Sequence, residues 1–134
     1  LRRLSPDWDL RFPPYEVRET DIVVAEDPWR LPPELGIEAT VIRTPGHTSD
    51  SISVLTDEGD LFCGDAAANM LRLAGTRHAT IFNEDMDAVY ASCRRVLELG
   101  VRRVYPGHGR PFAPTALRRN LDRIRTADLV PMDG

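Results

Sequence analysis

Three short turns constrain this chain more than any other feature, because each follows a predicted strand and presents a side chain that can bind a metal. Two of the turns read Pro-Gly-His, at 45–47 and 106–108, and the third reads Gly-Asp at 64–65. In each turn a glycine permits a sharp bend directly after the strand. Imidazole nitrogens and carboxylate oxygens are ligands that zinc, iron(II) and manganese accept. The sequence therefore predicts that three groups converge on a metal site: His47, Asp65 and His108.

Each turn taken alone has a simpler interpretation. A histidine beside a glycine is usually only a turn residue, and Asp65 could cap the segment that follows it. The remaining histidine, His78, lies in no such turn and is interpreted as a surface residue. Cys63 and Cys93 occupy apolar positions of a predicted strand and helix, which favours small buried hydrophobic residues over ligands or nucleophiles. The recurrence of the turn three times in one short domain is what favours the metal site.

The hydrophobic pattern predicts an α/β or α+β fold, with helices covering one face of a single sheet. The apolar stripe of the clearest helix recurs at helical spacing, with Asn83 or Asp85 as its N-cap and Gly100 beyond its end. Gly59 is expected to take a positive φ in the turn of a hairpin. The predicted strands are 21–25, 37–44, 52–56, 61–63 and 101–105, and the predicted helices are 86–99 and 115–126.

The composition indicates which binding partners and which cellular compartment to expect. The net charge of −4 over 134 residues gives no electrostatic reason to expect a nucleic acid or an anionic membrane as partner. The aliphatic runs are far shorter than the roughly 20 residues of a membrane span, and no segment resembles a signal peptide. Two cysteines are too few for a disulfide framework, which favours a reduced, cytoplasmic protein.

In their order and their placement after strands, the three turns resemble the last three metal motifs of the metallo-β-lactamase-fold hydrolases. The resemblance covers roughly residues 20–126 and implies the C-terminal half of a four-layer αβ/βα sandwich. It implies that His47 completes a first metal site, that Asp65 is the catalytic carboxylate bridging two metals, and that His108 belongs to the second site. It also implies two zinc ions in a complete site, with iron or manganese as alternatives.

The family's first motif, His-x-His-x-Asp-His, is missing from the sequence. We therefore expect residues 1–134 to form a single, partial domain without the N-terminal half that carries that motif. The parent protein is expected to hydrolyse a small-molecule ester, thioester, lactone, lactam or phosphodiester with a metal-activated hydroxide, while this chain alone binds zinc weakly and is inactive. The alternative is a non-catalytic binding or scaffold module with a degenerate form of the fold.

Two further expectations follow from the resemblance. Half of a two-sheet sandwich leaves an apolar sheet face uncovered, so we expect a homo-oligomer or association with the missing N-terminal half. Asp50, where many family members carry glycine, could orient His47 through a hydrogen bond, although a solvated turn aspartate is the simpler interpretation.

Overall fold

The computed structural model of the chain describes residues 15–69, 78 and 83–124, and within them it shows one five-stranded sheet. Strands lie side by side in the order in which they occur along the chain. The first four strands pair antiparallel, and the last two pair parallel, joined by a crossover that contains the first helix. The strands are β1 (Trp29–Arg30), β2 (Ala39–Arg43), β3 (Ile52–Thr56), β4 (Asp60–Gly64) and β5 (Arg103–Pro106), and the helices are α1 (Met86–Leu97) and α2 (Pro114–Ile124).

Both helices pack on the same face of the sheet, as the hydrophobic pattern predicts. Asp85 caps the start of α1, where its side chain accepts a hydrogen bond from the Ala88 amide at 3.0 Å. The apolar stripe of α1 lies between the sheet and α2, and together these elements form one continuous core. Its buried members include Leu61, Cys63 and Val104 from the sheet, Val89, Cys93 and Val96 from α1, and Leu117 and Leu121 from α2.

One predicted strand is wrong. Residues 21–25 form no strand in the described part of the chain, and the Val23 side chain is 70% exposed. The neighbouring edge of β2 is instead paired with the two-residue β1. No strand was predicted there because prolines flank these two residues in the sequence. Strand propensity reflects a fit to a half-buried, paired surface, so β-branched residues without a partner remain irregular. The last helix begins at Pro114, one residue before its predicted start at 115, and its predicted positions 125–126 lie outside the described residues.

The irregular segment before β1 is tied to the rest of the fold through Asp27. Its carboxylate accepts hydrogen bonds from the Arg43 amide at 3.0 Å and from the Arg95 guanidinium at 2.6 and 2.9 Å. These contacts, the one to Arg95 first among them, hold the pKa of Asp27 below its usual value. The segment is thereby anchored to both β2 and α1.

The opposite face of the sheet remains partly exposed. Cross-strand pairing places Val41, Val54, Phe62 and Tyr105 in one row across four strands on the face away from the helices. Val41 is buried, but Phe62 is 47% exposed, and its ring stacks on that of Tyr105 at a centroid distance of 4.8 Å. We call Ile52, Phe62 and Tyr105 the open face.

None of the helices in the described part of the chain has the length and apolar character that a membrane span requires.

Candidate metal centre

The sheet topology brings the three turns to one edge. Strands β2 and β4 are both antiparallel to β3, and β5 is parallel to β4, so β2, β4 and β5 all run in the same direction. Their carboxyl ends therefore meet at the same edge of the sheet, and His47, Asp65 and His108 each follow one of those ends. This edge is where open α/β sheets commonly hold their ligands.

The turn that carries His47 is fixed against α1 and its N-cap. The Ser92 hydroxyl donates to the Pro45 carbonyl at 2.8 Å, and the Asp85 amide donates to the Gly46 carbonyl at 3.0 Å. Gly46 has a φ of +137°, and a Cβ atom placed on it would lie only 2.4 Å from the Val89 amide nitrogen. Glycine is therefore required here both for its backbone conformation and for the close approach of α1.

The turns that carry Asp65 and His108 are held together at the ends of the parallel strands. The Gly107 amide donates to the Gly64 carbonyl at 2.7 Å. A Cβ atom on Gly107 would lie 2.8 Å from Asp65 Oδ1. The glycine before His108 thus provides space for the carboxylate, and it is not one of the glycines with a positive φ.

The three predicted side chains come together around the Asp65 carboxylate. His47 Nε2 lies 3.8 Å from Asp65 Oδ2, and His108 Nε2 lies 3.4 Å from Asp65 Oδ1. The Oδ1 atom is buried and takes part in no hydrogen bond. Within residues 15–69, 78 and 83–124, no group of three or more His, Cys, Asp or Glu side chains is arranged to hold one metal ion. The arrangement is instead two histidine–carboxylate pairs that share one aspartate.

The other residues singled out in the sequence lie outside these pairs. His78 is half-buried and not a surface residue: its ring packs on Phe112 at a centroid distance of 4.1 Å. Asp50 is exposed, and its pKa is lowered first by a hydrogen bond from Thr48, so the solvated turn aspartate is the better description. The prediction that both cysteines are buried is confirmed, and burial raises the pKa to about 11 for Cys63 and about 12 for Cys93.

Two residues that touch the histidine turns were not found from the sequence. Asn69 contacts the turn of His108, and Glu84 contacts the turn of His47. Both act through backbone groups 41 and 35 positions away in the chain, and no local pattern signals such contacts.

Comparison with known proteins settles the family. The family model of the metallo-beta-lactamase superfamily matches residues 2–108, which is most of the chain and includes all three turns. The chain belongs to the metallo-beta-lactamase superfamily. The superfamily match ends at His108, whereas the resemblance drawn from the turns extends through the last helix.

Relatives and solved structures of the superfamily agree with this assignment. Beta-lactamase-like protein 2 homolog of Drosophila melanogaster is 32% identical over 74 residues, which is 55% of this chain and 23% of that protein. Atrochrysone carboxyl ACP thioesterase of Aspergillus fumigatus is 33% identical over 75 residues, which is 55% of this chain and 21% of that protein. The structure of TTHA1623 in a di-iron-bound form is 26% identical, with a TM-score of 0.54 over 80% of this chain and 48% of that one.

The share of each relative's length that this chain matches limits what the comparison shows. The matched part of the chain spans less than a quarter of the length of these two curated relatives. The mixed α/β fold of the five-stranded sheet and its helices is that of the superfamily, and hydrolases are among its members that resemble this chain.

Proposed function

We propose that the chain contributes His47, Asp65 and His108 to a two-metal hydrolase site, with Asp65 as the carboxylate shared by both metals. The observation that carries the proposal is the position of Asp65, which faces a different imidazole with each of its oxygens. A carboxylate that only paired with one histidine, or only capped a turn, would have no reason to face two.

The donor set fits a metal ion in both its chemistry and its spacing. Zinc binds imidazole nitrogen and carboxylate oxygen at about 2.0–2.2 Å, so two donors of one tetrahedral ion lie about 3.4 Å apart. The two nitrogen–oxygen distances here are 3.4 and 3.8 Å. The buried Asp65 Oδ1, which has no hydrogen bond, is the atom that such an ion would satisfy. The iron ions of TTHA1623 keep iron beside zinc and manganese as candidates.

In this proposal each residue has a distinct task. When bound, the metal ions supply a more acidic water molecule and a positive charge near the bond to be cleaved. Asp65 would be shared by the two positions, and His47 and His108 would each provide a nitrogen ligand to one of them. Neither thiol serves as the nucleophile, because burial keeps Cys63 and Cys93 protonated near neutral pH.

We propose an acyl bond as the substrate of the parent protein, and a thioester first, since one relative is a thioesterase. Esters, lactones, lactams and phosphodiesters remain within the same chemistry. The ligands that complete each metal shell would come from the rest of the domain, in keeping with the small share of the relatives that this chain spans. The chain by itself is therefore expected to bind zinc weakly and to be inactive.

Zinc titration followed by NMR tests the proposal directly. The chain has only three histidines, so its imidazole resonances can be assigned by single substitutions. We expect zinc to shift the resonances of His47 and His108, whereas His78, which packs on Phe112, serves as the internal control. Equal shifts of all three imidazoles, or none, would contradict the site. Thioesterase activity of the proposed parent protein that disappears with a chelator tests the proposed hydrolase function.

We also propose that the open face is an association surface that is covered in the intact protein. Phe62 and Ile52 are each about half exposed although they lie on sheet strands, and apolar surface of this kind marks contact sites. In the isolated chain, where only a second copy is available, we expect self-association through this face.

Light scattering on the purified chain measures that association. We expect a mass above the 15.0 kDa of one chain, and a return toward 15.0 kDa in Phe62→Lys. Leu99→Lys is the matched control, because Leu99 is 46% exposed but lies beyond the end of α1 and not on the sheet. A wild-type chain that elutes as a plain monomer would rule the association out.

A further inference from the structure

The two histidine turns are held by the same hydrogen-bonding pattern, although they lie far apart in the sequence. The Glu84 amide donates to the carbonyl oxygen of His47 at 3.2 Å. The Asn69 amide donates to the carbonyl oxygen of His108 at 2.9 Å. In each turn, the backbone of the histidine itself is bound by one residue from another segment.

The side chain of that same residue then reaches the backbone two residues beyond the histidine. Glu84 Oε2 accepts a hydrogen bond from the Ser49 amide at 2.7 Å. Asn69 Nδ2 donates a hydrogen bond to the Arg110 carbonyl at 2.7 Å. Each histidine turn is therefore fixed at two points, one at the histidine and one two residues further on.

We call Asn69 and Glu84, each with its two hydrogen bonds to a histidine turn, the two clamps. Neighbouring contacts hold both residues firmly against their turns. At His108, Asn69 forms a parallel bridge with Gly109, and a Cβ atom on Gly109 would lie 2.3 Å from the Asn69 carbonyl oxygen. At His47, Glu84 directly precedes Asp85, the N-cap of α1. The first clamp is held by an isolated bridge beyond the ends of β4 and β5, and the second lies next to the start of α1.

We propose that Asn69 and Glu84 are positioning residues that set the placement of the His108 and His47 imidazoles on either side of Asp65. The proposal rests on the metal site proposed above, and it assigns roles to two residues that would bind no metal themselves. A turn whose backbone is already ordered loses less conformational entropy when its side chain binds a ligand. Fixing both turns would thus strengthen metal binding and hold the two imidazoles at a constant separation.

Four variants of the full chain test the two clamps separately. Asn69→Asp keeps the size of the side chain but places a carboxylate against the Arg110 carbonyl, where no hydrogen bond can form. Glu84→Ala removes the acceptor for the Ser49 amide, and Glu84→Gln restores an acceptor without the charge. Glu98→Ala removes an exposed glutamate at the other end of α1 and is the matched control.

Zinc titration by NMR, read at each imidazole, gives the result. We expect Asn69→Asp to weaken the response of His108 roughly 10-fold or more, the size typical for partners that orient a ligand. Glu84→Ala should do the same at His47, while Glu84→Gln and Glu98→Ala should keep the wild-type response. Amide hydrogen exchange without metal should be faster at the turn whose clamp is removed and unchanged at the other turn.

The outcomes separate this inference from the proposed function. A wild-type chain whose imidazoles do not respond to zinc overturns the metal site and the positioning role with it. A wild-type response that Asn69→Asp and Glu84→Ala leave intact overturns the positioning role alone. Equal losses in Glu84→Gln and Glu84→Ala would show that the charge acts and not the hydrogen bond, which also overturns it. If Asn69→Asp does not fold, the two Glu84 variants still decide the question.

Discussion

Replacing Asp65 by alanine is expected to abolish the zinc response of both imidazoles at once. Each histidine pairs with a different oxygen of this one carboxylate, so the substitution removes one donor from both positions. Loss of a residue that merely orients a ligand already weakens metal binding about 10–100-fold, and loss of a shared ligand should reach at least the upper end of that range. The measurement is the zinc titration of His47 and His108 by NMR.

Two variants serve as controls for this result. Asp65→Asn keeps the shape of the side chain but lacks the negative charge, and it should lose most of the binding. Asp50→Ala removes an exposed carboxylate only three residues after His47, and it should bind zinc as the wild type does. If Asp50→Ala were as damaging as Asp65→Ala, the effect would be general electrostatic attraction, and the shared-ligand model would be wrong.

Gly46→Ala is expected to lower the free energy of unfolding by about 2–6 kcal/mol. The new methyl group would overlap the backbone of Val89 at 2.4 Å, and overpacking of this kind costs about 1–3 kcal/mol. The φ of +137° adds a backbone cost of about 1–3 kcal/mol for a residue with a side chain. Urea unfolding followed by circular dichroism measures the change, and the loss should shift the midpoint clearly downward.

Gly100→Ala separates the two contributions. Gly100 also has a positive φ, of 76°, but a Cβ atom there would have no neighbour within 4 Å. Its replacement should cost only about 1–2 kcal/mol, the price of the left-handed conformation. Equal losses for the two glycine variants would mean that the His47 turn is not pressed against α1 as the structure indicates.

The parts of the fold that the sequence predicted are those set by local chemistry. The cap at Asp85, the stripe of α1 and the hairpin around Gly59 all follow from residue type and spacing, and the structure confirms them. The strand predicted at 21–25 is wrong because strand formation is not set by local residue type alone. Strand formation depends on a partner, and the pairing of β1 with β2 could not be read from either segment alone.

In the candidate site, too, residues in a local sequence pattern could be predicted, whereas residues that act through distant contacts could not. His47, Asp65 and His108 were predicted as ligands because the turns that carry them repeat a recognisable pattern, and that role stays a prediction. Their proximity follows from the directions of β2, β4 and β5. Asn69 and Glu84 were not found, because an asparagine or a glutamate bound to a distant backbone has no sequence signature. The half-buried position of His78 was missed for a similar reason, since its contact is with the distant Phe112.

The order of the strands gives the two halves of the candidate site different supports. Asp65 and His108 follow adjacent parallel strands, so their spacing is inherited from the sheet, in which neighbours lie about 4.8 Å apart. His47 follows β2, with β3 lying between it and β4, and must cross that gap on its own loop. The position of His47 therefore depends on the contacts of its loop with α1 and Glu84, and in the proposed metal site that loop is the place at which to alter which ion is preferred.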